Sequence, residues 1–287
     1  MGFDLQKLPR DRRGRIRRGE PIRECGLDFF PITMDHYDDY VMCKDALTLR
    51  LSSLPVKYVS LDYLSAIFAM EMDALKNGEK ASGLFGRLMQ LLGLSLRTDL
   101  SNSDKLSDAV FYKARERRGE VEITIDKIHL VQTDADGNER EADITPFQFS
   151  AQIRPLIAAQ NQILLPDESE NNDLVEAYEK KKEIQNRGPA LDTDLDALVS
   201  SVAYLSGVSD REIMAWNVRD FENRRRAIDR DKHFMLYGQA EMSGMVTFKN
   251  GNPYPSWMFD AVDDKLGTMD YAELAHTLSG AAAPGSM

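Results

Sequence analysis

Cysteine is scarce in this chain: Cys25 and Cys43 are its only two. Two thiols cannot build a disulfide framework, and their spacing is not that of a zinc site, so a reducing cytoplasm is the simplest setting. Long apolar runs are missing too. With no stretch of eighteen consecutive apolar residues, no transmembrane helix is expected. The first residues carry no apolar block behind their charges, so they do not read as a secretory signal, and their acids and few serines argue against a transit peptide. Histidine is nearly as rare. His36, His129, His233 and His276 stand far apart, and a histidine metal centre would need three elements to converge. The Gly-x-x-x-x-Gly-Lys-Ser/Thr and Gly-x-Gly-x-x-Gly phosphate loops and the Gly-x-Ser-x-Gly elbow are all lacking. No catalytic residue, cofactor or metal is expected, and the chain is read as not an enzyme.

What is there has ordinary globular proportions: 43% hydrophobic and 29% charged residues, enough in 287 residues for one large or two modest cores. The net charge of −11 disfavours nucleic acid as partner of the whole molecule. That charge is unevenly spread. Residues 1–24 hold eight cationic side chains (Arg12, Arg13, Arg15, Arg17 and Arg18 among them) against four acids, so this segment is +4 and the remainder −15. It is read as a flexible basic arm, either a solvated tail or a docking element for an acidic partner or a second copy.

Residues 25–165 read as an N-terminal helical domain. A short strand is expected at 27–32, then helices with apolar stripes through Tyr37–Leu51, Leu61–Leu75 and Leu84–Leu92. From Glu120 to Val131 apolar and polar residues alternate, Asp134–Asn138 is turn-like, and Glu141–Ile144 can return, so a β-hairpin is expected near 120–145. Thr145-Pro146 opens a helix that Pro155 should kink or end. Residues 166–192 are polar and read as a connector. Residues 193–259 form a C-terminal helical domain closing in a short hairpin at Lys249–Asn252, and 260–287 an acidic, then flexible, tail. The fold class is therefore mainly α with a small β-hairpin element, an α+β arrangement of helical layers.

Three local patterns invite a functional reading. Asp134-x-Asp136-x-Asn138 begins like a calcium loop, but Glu139 and Thr145 stand where glycine and a bidentate glutamate are needed, so a polar turn is preferred. Residues 199–217 space Ala203, Gly207, Val208 and Ile213 as a helix-turn-helix does. Reading DNA through Arg211 and Asn217 would also bring Asp210 and Glu212 to the phosphates, so two helices packed in the same geometry are preferred. A long helix is expected from Val218, capped by Asn217. Its residues Phe221, Ile228, Met235 and Met242 recur every seven, as core or as an interface stripe.

Three stretches together resemble phage and prophage proteins from tail-morphogenesis regions: Phe30-Pro31-Ile32-Thr33 with Ala46–Arg50 and Leu54-Pro55; Phe149–Asn161 with Ile153-Arg154 and Gln160-Asn161; and Gly207-Val208-Ser209 through Phe221 to Ala240–Val246 and Ser256-Trp257. The resemblance implies a non-enzymatic tail assembly chaperone or a tail or baseplate component, located in the bacterial host cytoplasm or the virion. Its partners would be phage tail or other virion proteins, or further copies of itself. Contacts are expected on the basic arm (Arg12, Arg13, Arg15, Arg17, Arg18) and on the Phe221, Ile228, Met235, Met242 stripe. A DNA-binding regulator using Arg211 and Asn217 is the alternative.

Overall fold

The computed structural model describes residues 9–78, 80–100, 108–117, 120–134, 136–168, 194–244 and 256–259, with 173, 175, 177, 180, 248, 252 and 254 singly. The helices are α1 (Arg10–Arg17), α2 (Tyr37–Cys43), α3 (Val56–Val59), α4 (Tyr63–Lys76), α5 (Leu84–Leu96), α6 (Pro146–Gln148), α7 (Arg154–Asn161), α8 (Leu195–Ser206), α9 (Asp210–Met214) and α10 (Val218–Met242). A two-stranded sheet joins β1 (Ile22–Glu24) to β2 (Leu27–Phe29), and a three-stranded antiparallel sheet has the order β3 (Val110–Arg117), β4 (Glu120–Thr133), β5 (Glu139–Ile144). The chain is mainly α with small antiparallel sheets, the α+β class the patterning leads one to expect.

The expected hairpin is β4–β5, with Ile128 opposite Ile144 and Thr133 opposite Glu139. Its turn is organised by Asp134, whose Oδ1 accepts from the backbone amides of Asp136 and Asn138 at 3.0 and 2.9 Å. Those hydrogen bonds hold the Asp134 carboxyl below its ordinary range. The first strand, β3, lies outside the expected hairpin. Its Phe111 and Tyr112 are both largely exposed, so the alternation that marks a half-buried strand is broken there. At Pro155 the helical path continues. A π turn at Phe149–Ile153 precedes the proline, a wider turn in which its ring and missing donor are tolerated.

The backbone from Asp28 to Met34 forms the centre of the larger unit. Gln132 of β4 accepts from the Asp28 amide at 2.9 Å and donates to the carbonyls of Asp28 and Leu96 at 2.8 and 2.9 Å. The Phe30 amide donates to the Ser95 carbonyl at 2.7 Å. Gln160 donates to the Phe29 carbonyl at 2.9 Å, and Asn161 Oδ1 accepts from the Ile32 amide at 2.8 Å. The Ile32 carbonyl accepts from the Val218 amide at 2.8 Å, and the Met34 amide donates to the Trp216 carbonyl at 2.9 Å. Gln132, Gln160 and Asn161 are all buried. A second hub is Arg154, which lies 3.7 Å over the Tyr63 ring and donates to the carbonyls of Leu47 and Leu49 at 3.0 and 3.3 Å.

Two segments are placed differently from the organisation read in the sequence. Residues 10–24, read as part of a basic arm, contain α1 and β1; Ile16 is 1% exposed, and β1 pairs with β2 along Ile22–Glu24. Burying one isoleucine contributes about 1.5–3 kcal/mol, which offsets the ordering of a short charged helix better than exposed ion pairs do. Residues 1–8 lie outside the described residues. The second difference concerns the expected C-terminal domain at 193–259. One compact unit takes in residues 1–170 together with 192–226, and the other 171–191 with 227–287. The reason is that Ile213, Val218 and Phe221 are fully buried in the first unit and the amide of Val218 is bound by Ile32. Most of the connector, the Lys249–Asn252 turn apart from Asn252, and the tail at 260–287 lie outside the described residues.

The described part of the second unit includes the distal part of α10 and the residues Phe248, Tyr254 and Trp257 that meet it. His233 stacks on Tyr254 with ring centroids 4.7 Å apart, and Tyr237 meets Tyr254 and Phe248 at 5.0 and 5.5 Å. Arg230 donates to the Trp257 carbonyl at 2.7 Å.

Asn161 offers a direct measure of the central ribbon. Replacing it with leucine leaves the Ile32 amide and the Ile157 carbonyl without their side-chain partner in a dry interior. Urea unfolding of Asn161→Leu should show a loss of about 2–4 kcal/mol. A loss below about 0.5 kcal/mol, the range of ordinary surface substitutions, would remove the ribbon from its central place.

Candidate functional site

Two surfaces of the described residues have the chemistry of contact sites, one in each unit. The first is a cleft of about 630 Å³ between the Pro31–Asp39 segment and the C-terminal end of α5. Asp35, His36 and Asp39 line one side, Gln90, Arg97, Thr98 and Asp99 the other, and Ile32, Leu94 and Leu100 add apolar floor. The volume is that of an ordinary ligand or side-chain pocket. Its shape depends on Gly93, because a Cβ there would stand 2.5 Å from the Thr98 carbonyl, so the chain leaving α5 passes hard against the helix. Arg97 caps that helix with a positive φ of 56° and places its guanidinium 4.1 Å from the centre of the Phe30 ring. Gln90 donates to Asp39 at 3.2 Å, and His36 Nε2 lies 3.8 Å from Asp35. Three carboxylates and one guanidinium thus line the cleft, and the guanidinium rests on the Phe30 ring. Nothing local in the sequence links Asp35 and Asp39 to Arg97–Asp99.

The second surface lies along α10. Successive helical residues are rotated by about 100°, so His233, Tyr237, Arg230 and Glu241 share the face that Phe248, Asn252, Tyr254 and Trp257 meet. Asn252 donates to Glu241 at 3.3 Å on that same side. Met235 and Met242 fall on the opposite face. The seven-residue stripe thus has two fates. Phe221 is fully buried as core, Ile228 is half-buried, and Met235 and Met242 are 55% and 90% exposed, with Leu236 at 63% beside them.

The basic residues singled out in sequence divide in the same way. Arg12 pairs with Glu24 at 2.6 Å, Arg15 donates to the Pro21 carbonyl, and Arg18 pairs with Glu20 at 2.5 Å. Among the described residues Arg13 and Arg17 make no side-chain contact of this kind, and Arg17 is exposed. In the helix-turn-helix stretch, Gly207 turns the chain at φ 70° after α8, and Ser209 and Glu212 form the expected reciprocal cap of α9. Arg211 is exposed on α9, which is five residues long. Asn217 caps α10: its Oδ1 accepts from the Asp220 amide at 2.8 Å while its Nδ2 donates to the Asp220 carboxylate at 2.7 Å. Its amide also lies 2.6 Å from where a side chain on Gly19 would begin, so α1 ends against it.

Among the described residues no group of three or more His, Cys, Asp or Glu side chains is placed to hold a metal ion, and no helix is long and apolar enough to cross a membrane. Comparison with known protein families, curated proteins and solved structures finds no match to this chain.

The two thiols differ in reactivity. Cys43 is buried beside Asp39, and desolvation first, then that charge, pushes its thiol up to about 11. A raised pKa means less thiolate at any given pH. At pH 8, iodoacetamide should modify Cys43 about 100-fold more slowly than an unperturbed thiol, and unfolding in urea should remove the difference. Mass spectrometry of the alkylated peptides reads this directly, and equal rates in folded and unfolded protein would contradict the burial of Cys43.

Proposed function

We propose that this chain is a non-enzymatic phage tail assembly or virion structural protein that acts through protein–protein contacts. The observation that carries the reading is the exposed methionine face of α10. Its opposite side is occupied by the chain's own aromatic segment, while Met235, Leu236 and Met242 stand bare in water. Methionine is flexible and polarisable, so such a face adapts to a partner surface at small cost. A partner that buries these side chains gains their transfer free energy, about 25 cal/mol per Å² removed from water. The tail-morphogenesis resemblance supplies the class of partner, and its third stretch runs through this helix.

Affinity capture from phage-producing cells, sampled through assembly, tests the reading. The unaltered chain should recover tail or other virion proteins. Met235→Glu with Met242→Glu should lose them by at least about 10-fold, since two charges placed in an apolar contact each cost on the order of 1–3 kcal/mol. Thermal unfolding should be little changed, because both side chains are exposed. Recovery of no virion protein at any stage would overturn the proposal.

A further inference from the structure

The helix α1 has eight residues, of which five are arginine and one is acidic. Arg12 and Arg15 are engaged within the fold, as is Arg18 just beyond the helix. Arg10, Arg13 and Arg17 are not. They stand at positions i, i+3 and i+7, within about 60° of one another around the helix axis. None of the three makes a side-chain hydrogen bond or ion pair with the described residues. Arg10 and Arg17 are exposed and Arg13 is half-buried. The helix cannot swing away to dilute this charge, because Ile16 and the β1–β2 pairing hold it in the fold. A fixed row of three guanidinium groups, unpaired among the described residues, is therefore presented on a molecule whose net charge is −11.

We propose that this row is one half of a self-association contact, in which Arg10, Arg13 and Arg17 of one copy seat in the acidic cleft of a second copy. The proposal deepens the assembly reading given above by naming a partner, and it uses a surface separate from the methionine face of α10. Charge and shape carry it. The cleft presents Asp35 and Asp39, and its one arginine is stacked on Phe30. Guanidinium forks match carboxylates bidentately. Arginine stems are apolar enough to lie against Pro31, Ile32, Leu94 and Leu100 in the cleft floor. Among the described residues Asp35 pairs only with the His36 ring, and Asp39 is held by a neutral amide donor, so both carboxylates gain from an arriving guanidinium. With the whole chain acidic, attraction between copies is confined to this pairing of unlike patches, which also fixes orientation.

The test is sedimentation of the purified full chain over a range of concentrations at 0.05 and 0.5 M NaCl. At low salt the mass should rise reversibly above the monomer, and at high salt it should fall back. Arg13→Glu with Arg17→Glu should raise the dissociation constant at least about 30-fold, and Asp35→Arg with Asp39→Arg should do the same. Mixing these two variants should restore association, because each then offers the helix charge that suits the other's cleft. Circular dichroism verifies that both fold, and the milder Arg10→Ala with Arg17→Ala serves if a reversal does not. A monomer at every concentration and salt, or a mixture that stays monomeric, overturns the proposal. So does duplex DNA binding abolished by Arg13→Glu with Arg17→Glu in a chain that does not self-associate, which would give the row to a polyanion. Because no cell lysate enters the measurement and α10 is unaltered, failure here leaves the methionine-face reading standing.

Discussion

A backbone segment that belongs to no large sheet must find partners for its amides and carbonyls elsewhere, and the path from Asp28 to Met34 is such a segment. In a dry interior each unpaired group would cost on the order of 1–3 kcal/mol. The fold meets the demand with buried side-chain amides, Gln132, Gln160 and Asn161, and with main-chain groups from Ser95, Trp216 and Val218. Four elements are thereby tied to one ribbon: β4, the end of α5, α7 and the start of α10. An amide side chain is suited to this work because it donates and accepts at once. Gln132 does both to a single residue, Asp28, and mimics one rung of a sheet.

The same ribbon explains why residues 192–226 belong with the first 170. A polar connector in sequence ordinarily marks a domain boundary, because few apolar residues cross it. Here the chain returns after the connector and supplies Ile213, Val218 and Phe221 to the first core, with the Val218 amide closing on Ile32. Composition along the chain registers the connector but not the return. Placing α1 follows from the same contact region. Its end is pressed against Asn217, and Gly19 is the residue that leaves room for that amide.

Local chemistry was legible where one turn decides the outcome. The Ser209–Glu212 capping box, the Thr145-Pro146 helix start, the Asn217 cap, the Asp134 turn and the β4–β5 hairpin all follow from residues within a few positions of one another. Where a choice rested on distant partners, sequence was silent or misled. The α1 segment carries so many arginines that charge alone reads as a solvated tail, and its single anchor, Ile16, is one apolar residue among cations. The acidic cleft is likewise invisible in sequence, since its two walls are far apart along the chain and meet through the packing of α2 and β2 on α5. The pairing of Phe30-Pro31-Ile32 with Gln160-Asn161 is of this kind too. Both stretches stood out separately, and the bonds from Gln160 and Asn161 to the backbone of Phe29 and Ile32 give a physical reason for amide side chains at those two places.

The stripe on α10 shows why periodicity names candidates but not their roles. Phe221, Ile228, Met235 and Met242 share a spacing of seven, and spacing treats them alike. Burial separates them: the first is core, the second half-covered, the last two bare. Residue type follows the same gradient, from a rigid aromatic in the packed interior to flexible thioethers in water. A buried site rewards one shape, whereas a surface that meets a partner only part of the time is better served by a side chain that can adjust. The aromatic cluster of His233, Tyr237, Phe248 and Tyr254 on the other side fixes which face is left over. The helix is thus anchored by its first turns, covered along one side by its own chain, and open along the other.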